Sequence, residues 1–177
     1  MRRFIPGLII LVIAAAVTHF FVLKAIPSFV MSKARSAFQD RGMPLNYWVG
    51  SSRITPQTQT VVRPSPDLAY VICLFDVSDG PVSISAPAWD EYGSLSIFDG
   101  QTNNVYVTSL KASDAAPTKI IVAKNRYSEP GGTANGVPIV MIKGEGLALV
   151  RRLAPTADAY ARASELIAPA KCEKLSS

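Results

Sequence analysis

Five polar side chains are of the types that hold a ligand: Arg63, Asp67, Tyr70, Asp99 and Asn103. Arg63 and Asp67 bracket a double-proline turn, Arg63-Pro64-Ser65-Pro66-Asp67, with the Tyr70 hydroxyl a few residues on. A cation, a carboxylate and a phenol at a pocket mouth would suit a polar small molecule or a carbohydrate. The competing structural reading has Asp67 accepting backbone N–H groups at the turn, with Arg63 bracing it. Asp99, Asn103 and Asn104 form a second polar turn between two strands, where Asx side chains serve backbone geometry as readily as ligands. Asp76 and Asp79 flank a third turn. A carboxylate pair such as Asp67 with Asp99 could support glycosidase-type acid/base work if brought within about 5–10 Å, which nothing in the spacing requires. Trp89, Tyr92 and Tyr106 could stack on sugars, or could equally be core and rim aromatics.

Other chemistries lack their residues. The sole histidine, His19, lies in an apolar N-terminal run, so no Ser-His-Asp or Cys-His set can form downstream. There is no Cys/His cluster with zinc spacing and no phosphate loop. Pro130-Gly-Gly-Thr-Ala-Asn-Gly136 lacks the spacing of a nucleotide fingerprint and reads as a connection. Neither metal nor cofactor is implied. The formal net charge is +5, but Arg2, Arg3 and Lys24 belong to the N-terminal segment. Beyond it, 15 Lys and Arg face 13 Asp and Glu, with no basic run past Arg151-Arg152. That balance argues against nucleic acid as a partner, since phosphate contacts need clustered positive charge.

Residues 4–23 are almost wholly apolar. At 1.5 Å per residue such a helix spans about 30 Å, enough to cross a bilayer core and contact membrane lipid. A cleaved signal peptide, ending near Ala14-Ala15-Ala16, is the alternative; the apolar run continues past it to Leu23. Arg2 and Arg3 would keep the N-terminus cytoplasmic and place the rest in the periplasm. After Pro27, a short helix from Ser28 to Asp40 is expected, with Phe29, Ala34, Ala37 and Phe38 on one face and Gly42 as its stop. Met43 to Gln59 reads as irregular, with Tyr47 and Trp48 at the lipid interface or covering a core edge. Residues 1–24 are thus an anchor, 25–59 a membrane-proximal helix and linker, and 60–177 a β-rich domain.

Leu68 to Phe75 is a near-continuous β-branched and aromatic run, as in a strand buried on both faces. Pro81–Ala86 and Gly93–Asp99 alternate with period two, predicting one buried and one wet face. Residues 105–110, 118–123, 137–143 and 147–151 follow as strands, separated by Gly, Pro and Asx turns. Thr156 to Ile167 predicts a terminal helix with Ala157, Tyr160, Ala161, Ser164 and Ile167 on one face. The fold class is mainly β (α+β): an antiparallel β-sandwich or partial barrel with a C-terminal helix. Cys73 reads as a small core residue and Cys172 as part of the tail, a disulfide between them being the alternative.

The run Val62–Tyr70, Phe75-Asp76, Gly80-Pro81-Val82, Ala86-Pro87, Tyr92–Asp99 and Thr102-Asn103 resembles the bacterial family called domain of unknown function 1254. Its motif Arg-Pro-Asn-x-Asp-x-x-Tyr maps onto Arg63 to Tyr70, with Ser65 in place of asparagine. The resemblance covers about residues 60 to 165 and carries no assigned activity. It implies the short, membrane-anchored version of a protein that elsewhere precedes a domain of unknown function 1214, and so a separate partner chain bearing that domain. The reading is an accessory or interaction module; a small-ligand or carbohydrate-binding domain is the alternative, and a histidine-free hydrolase the third.

Overall fold

The computed structural model describes residues 5–55, 57, 64–111, 117–124 and 133–175. Its centre is an antiparallel pair of nine-residue strands, β2 (Leu68–Asp76) and β9 (Glu145–Leu153), in register from Leu68 opposite Leu153 to Asp76 opposite Glu145. With β1 (Val49–Gly50), β4 (Gly93–Asp99) and β5 (Asn104–Ser109) they make one sheet in the order β1-β2-β9-β4-β5. The second sheet runs β10-β3-β6-β8-β7, from β3 (Val82–Ala86), β6 (Thr118–Lys124), β7 (Thr133–Ala134), β8 (Val137–Ile142) and β10 (Lys171–Lys174).

Strand alternation sends Val71, Cys73, Phe75, Leu95, Ile97, Ala148 and Val150 of the first sheet into one core with Val82, Ile84, Ile120, Val122 and Ile142 of the second. The architecture is therefore the expected sandwich-like α+β fold, without closure into a barrel. One pair departs from the antiparallel expectation: β6 and β8 run parallel. The chain between them is long enough for the crossover that a parallel pair requires. Asn135 and Gly136, both at positive φ, then turn β7 back into β8 as a two-residue hairpin. Gly146 is required by close approach, because a Cβ there would lie 2.5 Å from the Phe75 ring and 2.8 Å from the Phe98 carbonyl oxygen.

The structure corrects several further expectations. Cys73 and Cys172 form a disulfide, joining β2 of one sheet to β10 of the other. Residue spacing along the chain could not show this, because the tail returns to the sheet edge only in three dimensions. Neither β3 nor the first part of β4 has a wet face: Ser94 and Ser96 are buried in β4, Ser83 and Ser85 lie between the flanking strands β6 and β10, and Ser85 Oγ accepts the Lys171 amide N–H. The N-terminal helix α1 (Ile5–Gln39) runs unbroken through Pro27. Proline removes one backbone bond, a loss a long apolar helix can absorb. It closes with Gly42 at φ 80° and the Met43 N–H on the Phe38 carbonyl, so the glycine stop is as expected. The helical face buried is Met31 and Arg35 rather than Phe29 and Ala37, which are exposed.

Helix α2 (Ala157–Glu165) begins where expected, with Thr156 Oγ1 accepting the Ala159 N–H. Its buried face is Ala159 and Ala163, packed with Ala69, Trp89 and Ala154, while Ala157 and Ala161 face solvent. With alanine on both sides, periodicity had no contrast to choose between them. Trp48 leaves the lipid-interface option behind: it sits in the core, its Nε1–H donating to the Ser85 and Lys171 carbonyls, while Tyr47 is exposed.

The disulfide closes a loop of 99 residues, and the chain-entropy account assigns such a crosslink about 4–5 kcal/mol. Reduction, or Cys172→Ala, is expected to lower the thermal midpoint by on the order of 15 °C. Calorimetry with and without reductant checks this; an unchanged midpoint would mean that the two sheets need no staple.

Candidate functional site

At the double-proline turn, the Ser65 N–H donates to the Tyr70 hydroxyl at 2.8 Å and the Asp67 N–H to Ser65 Oγ at 3.3 Å. The Asp67 carbonyl accepts the Ala154 N–H at 2.7 Å, tying the turn to the chain leaving β9. Tyr70 therefore buttresses the turn, and the Asp67 side chain is left exposed. Arg63 lies outside the described residues.

Asp99 organises a different turn. Its carboxylate accepts the backbone N–H groups of Gln101 and Asn103 at 2.8 and 2.9 Å and the Asn103 side-chain amide at 2.8 Å. Thr102, at φ 64°, occupies the left-handed position that this closure needs. Strand register sets the separation of the two turns. Ala69, Arg152 and Gly93 lie at one end of the sheet, and Phe75, Gly146 and Asp99 at the other. With Asp67 two residues beyond Ala69, eight strand steps intervene, on the order of 25 Å. Asp67 and Tyr70 belong to one turn without a contact between their side chains, Asp99 and Asn103 are hydrogen-bonded, and the two pairs lie at opposite ends of the sheet. Paired-carboxylate chemistry across such a gap is out of reach. Trp89 is buried with its Nε1–H on the Leu153 carbonyl, Tyr106 packs against the core, and Tyr92 is exposed.

The Asp99 end holds the more developed constellation. Arg35 of α1 is 3% exposed and reaches the end of the central ladder. Its Nη1 donates to the Gly146 carbonyl at 2.6 Å and the Phe75 carbonyl at 3.2 Å, and its Nε lies 3.1 Å from Glu145 Oε2. Burial acts to raise the Asp76 carboxyl, but the Ser78 hydrogen bonds, with the Arg35 and Lys174 charges, outweigh it and hold the pKa below its ordinary value. Glu145 also lines a neighbouring cleft of 450 Å³ with Asp99, Gln101, Met141 and Lys143. Among the described residues, no three His, Cys, Asp or Glu side chains gather as a metal site.

At the opposite end Arg152 is 1% exposed, its Nη2 donating to the Pro87 carbonyl at 3.0 Å while its Nε has no partner. Burial pulls its pKa down to about 10. Neither buried arginine was singled out in the sequence, though each carried a signal. Arg152 continues the inward parity of Ala148 and Val150, and Arg35 is the one charge on the stripe that includes Met31, Ala34 and Phe38.

Two outcomes follow from the Arg35 contacts. Arg35→Ala strands two backbone acceptors and should cost about 1–3 kcal/mol, since Glu145 is itself well solvated. It should also free α1 from the sheet, read as faster proteolysis of the 39–46 connection; an unchanged digestion rate would show that Arg35 does not hold the junction. For Asp76 the folded pKa lies below 3.8, so its contribution is complete above that value and is lost as pH falls through the folded pKa. Asp76→Asn should flatten the fall of urea midpoint below pH 4, and an identical acid profile in the variant would remove Asp76 from the account.

Comparison with known proteins places this architecture. No curated protein matches the chain. Among solved structures it is similar to the VPA0106 protein of Vibrio parahaemolyticus, with a TM-score of 0.58 at 17% identity over 86% of this chain. That likeness is one of fold, and this chain spans 37% of the Vibrio protein's length. A family profile described as "Protein of unknown function (DUF1254)" matches residues 46–174. The match begins two residues before the buried Trp48 and ends with β10, taking in both sheets and α2. Across most of its length, therefore, this chain is a member of the DUF1254 family.

Proposed function

We propose that the chain is a membrane-anchored accessory module whose β domain faces the periplasm and binds another protein, the candidate being a separate chain that carries a domain of unknown function 1214. The observation that carries this reading is the Arg35 junction. It fastens the end of a long apolar helix to the sheet, so the domain is presented in one orientation relative to whatever holds that helix. The first part of α1 is long and apolar enough to cross a membrane, and none of its most apolar window is buried against the domain. Arg2 and Arg3 precede it, which favours a cytoplasmic N-terminus. The Cys73–Cys172 disulfide agrees with an oxidising compartment for the domain. The proposed division is 1–24 as anchor, 25–59 as the membrane-proximal segment and 60–177 as the periplasmic domain; the burial of Met31, Arg35 and Trp48 supports a docked role for the described residues between 25 and 55. The described binding candidates, Asp67 with Tyr70 and Asp99 with Asn103, fall at opposite ends of a sheet, which favours a protein surface over one small-ligand cleft.

The test is topology and integrity in intact bacteria. Carbonate extraction should leave the protein in the membrane, its mass should include residues 1–24, and a phosphatase fused after Ser177 should be active. Release by carbonate, or loss of the N-terminal segment, would remove the anchor. An inactive phosphatase together with reduced cysteines would reverse the orientation. Co-purification with a co-expressed DUF1214 chain tests the partner, and its failure under conditions that keep the domain folded would remove that candidate.

A further inference from the structure

The exposed sheet edges are not alike. β1 and β7 are two residues each, and β10 carries Lys171, Glu173 and Lys174 among its four. Short or charged edges of this kind resist pairing with other chains. β5 has neither protection. Its six residues, Asn-Val-Tyr-Val-Thr-Ser, carry no charge, two are exposed valines (Val107 is 59% exposed), and among the described residues no strand pairs with it on the side away from β4. β-branched and aromatic side chains give it high strand propensity.

We propose that β5 is the surface through which two copies of this chain associate, edge to edge and antiparallel, about Val107. What selects a second copy is self-complementarity. Two identical edges joined antiparallel are related by a two-fold axis normal to the sheet, so the core face of one copy continues the core face of the other. In β5 the core face carries Tyr106 and Thr108, opposite Ile97 and Leu95; Val107 and Ser109 take the other face, opposite Ser96 and Ser94. Centring on Val107 sets it against Val107 of the second copy, with Tyr106 against Thr108 on the core side. Aromatic–β-branched and paired valine contacts are favourable across strands, and no like charges meet. The register shift at Ile97/Phe98 ends regular pairing at the start of β5, which leaves the Val107 region as the flat part of the edge.

The experiment uses the full chain in lipid nanodiscs. In Val107→Cys the two new thiols should lie about 4.5–5.5 Å apart at Cβ and oxidise to an inter-chain disulfide at twice the 19.0 kDa chain mass. Tyr47→Cys, 64% exposed and remote from β5, is the collision control and should cross-link several-fold less. Val107→Lys opposes two like charges at the join and should weaken dimerisation by about tenfold or more in sedimentation, with the far-UV circular dichroism of the fold kept because the site is exposed in the single chain. A monomeric parent chain, equal cross-linking at Tyr47→Cys, a dimer that survives Val107→Lys, or Val107→Cys cross-linked to a different protein would each overturn the proposal.

Discussion

The molecule depends on the β2–β9 ladder. Nine residues of each strand pair in unbroken register, and the flanking strands, both helices and the disulfide attach to that pair. β1 and β4 take its two sides, the disulfide leaves from Cys73 at its middle, α1 docks at its Asp76 end and α2 packs near its Ala69 end. The buried faces of these strands explain the rank. Phe75 lies flat on Gly146 inside the sandwich, where a side chain on residue 146 would drive the ring or the β4 backbone away. Such a contact fixes register, because a slip of one residue would turn Phe75 out of the core.

Two buried arginines mark the ends of that ladder, and their surroundings differ. Arg35 has a carboxylate at 3.1 Å, two carbonyls and the field of Asp76, so its charge is met on several sides. Arg152 has a single carbonyl and an unpartnered Nε, and its lowered pKa reports that the charged form is desolvated without full return. A charged group left in that state costs stability at neutral pH. What Arg152 fixes is the Pro87 carbonyl, which holds the chain leaving β3 over the end of β9.

Among the described residues, the two polar turns lie at opposite ends of the sheet and α1 is fastened at one of them, which is what the proposed surface-presenting module rests on. The turn polar groups are largely consumed in closing their own backbones: Asp99 in three hydrogen bonds, Tyr70 and Ser65 in one each. The unsatisfied features lie on edges and ends. They are the uncharged β5 edge, the exposed apolar length of α1, and the mixed-charge cleft beside Glu145.

The sequence by itself determined the apolar N-terminal segment, the longer strands β2 to β6, β8 and β9, the Thr156 start of α2, the Gly42 stop of α1 and the family. Each of these rests on local chemistry: hydrophobic period, caps, glycine at positive φ, and a motif read in order. It also carried the rule that turn aspartates serve backbone geometry, which Asp99 obeys. Only tertiary structure decided the rest. The disulfide, the placement of Asp67 and Asp99 at opposite ends, the parallel β6–β8 pair and the burial of Ser83, Ser85 and Trp48 all depend on which strand lies beside which. The choice of Ala159 and Ala163 over Ala157 and Ala161, and of Arg35 as a buried helix residue, depends on what an element meets on docking. Period alone gives an element a face; the neighbour that covers it decides which residues that face contains.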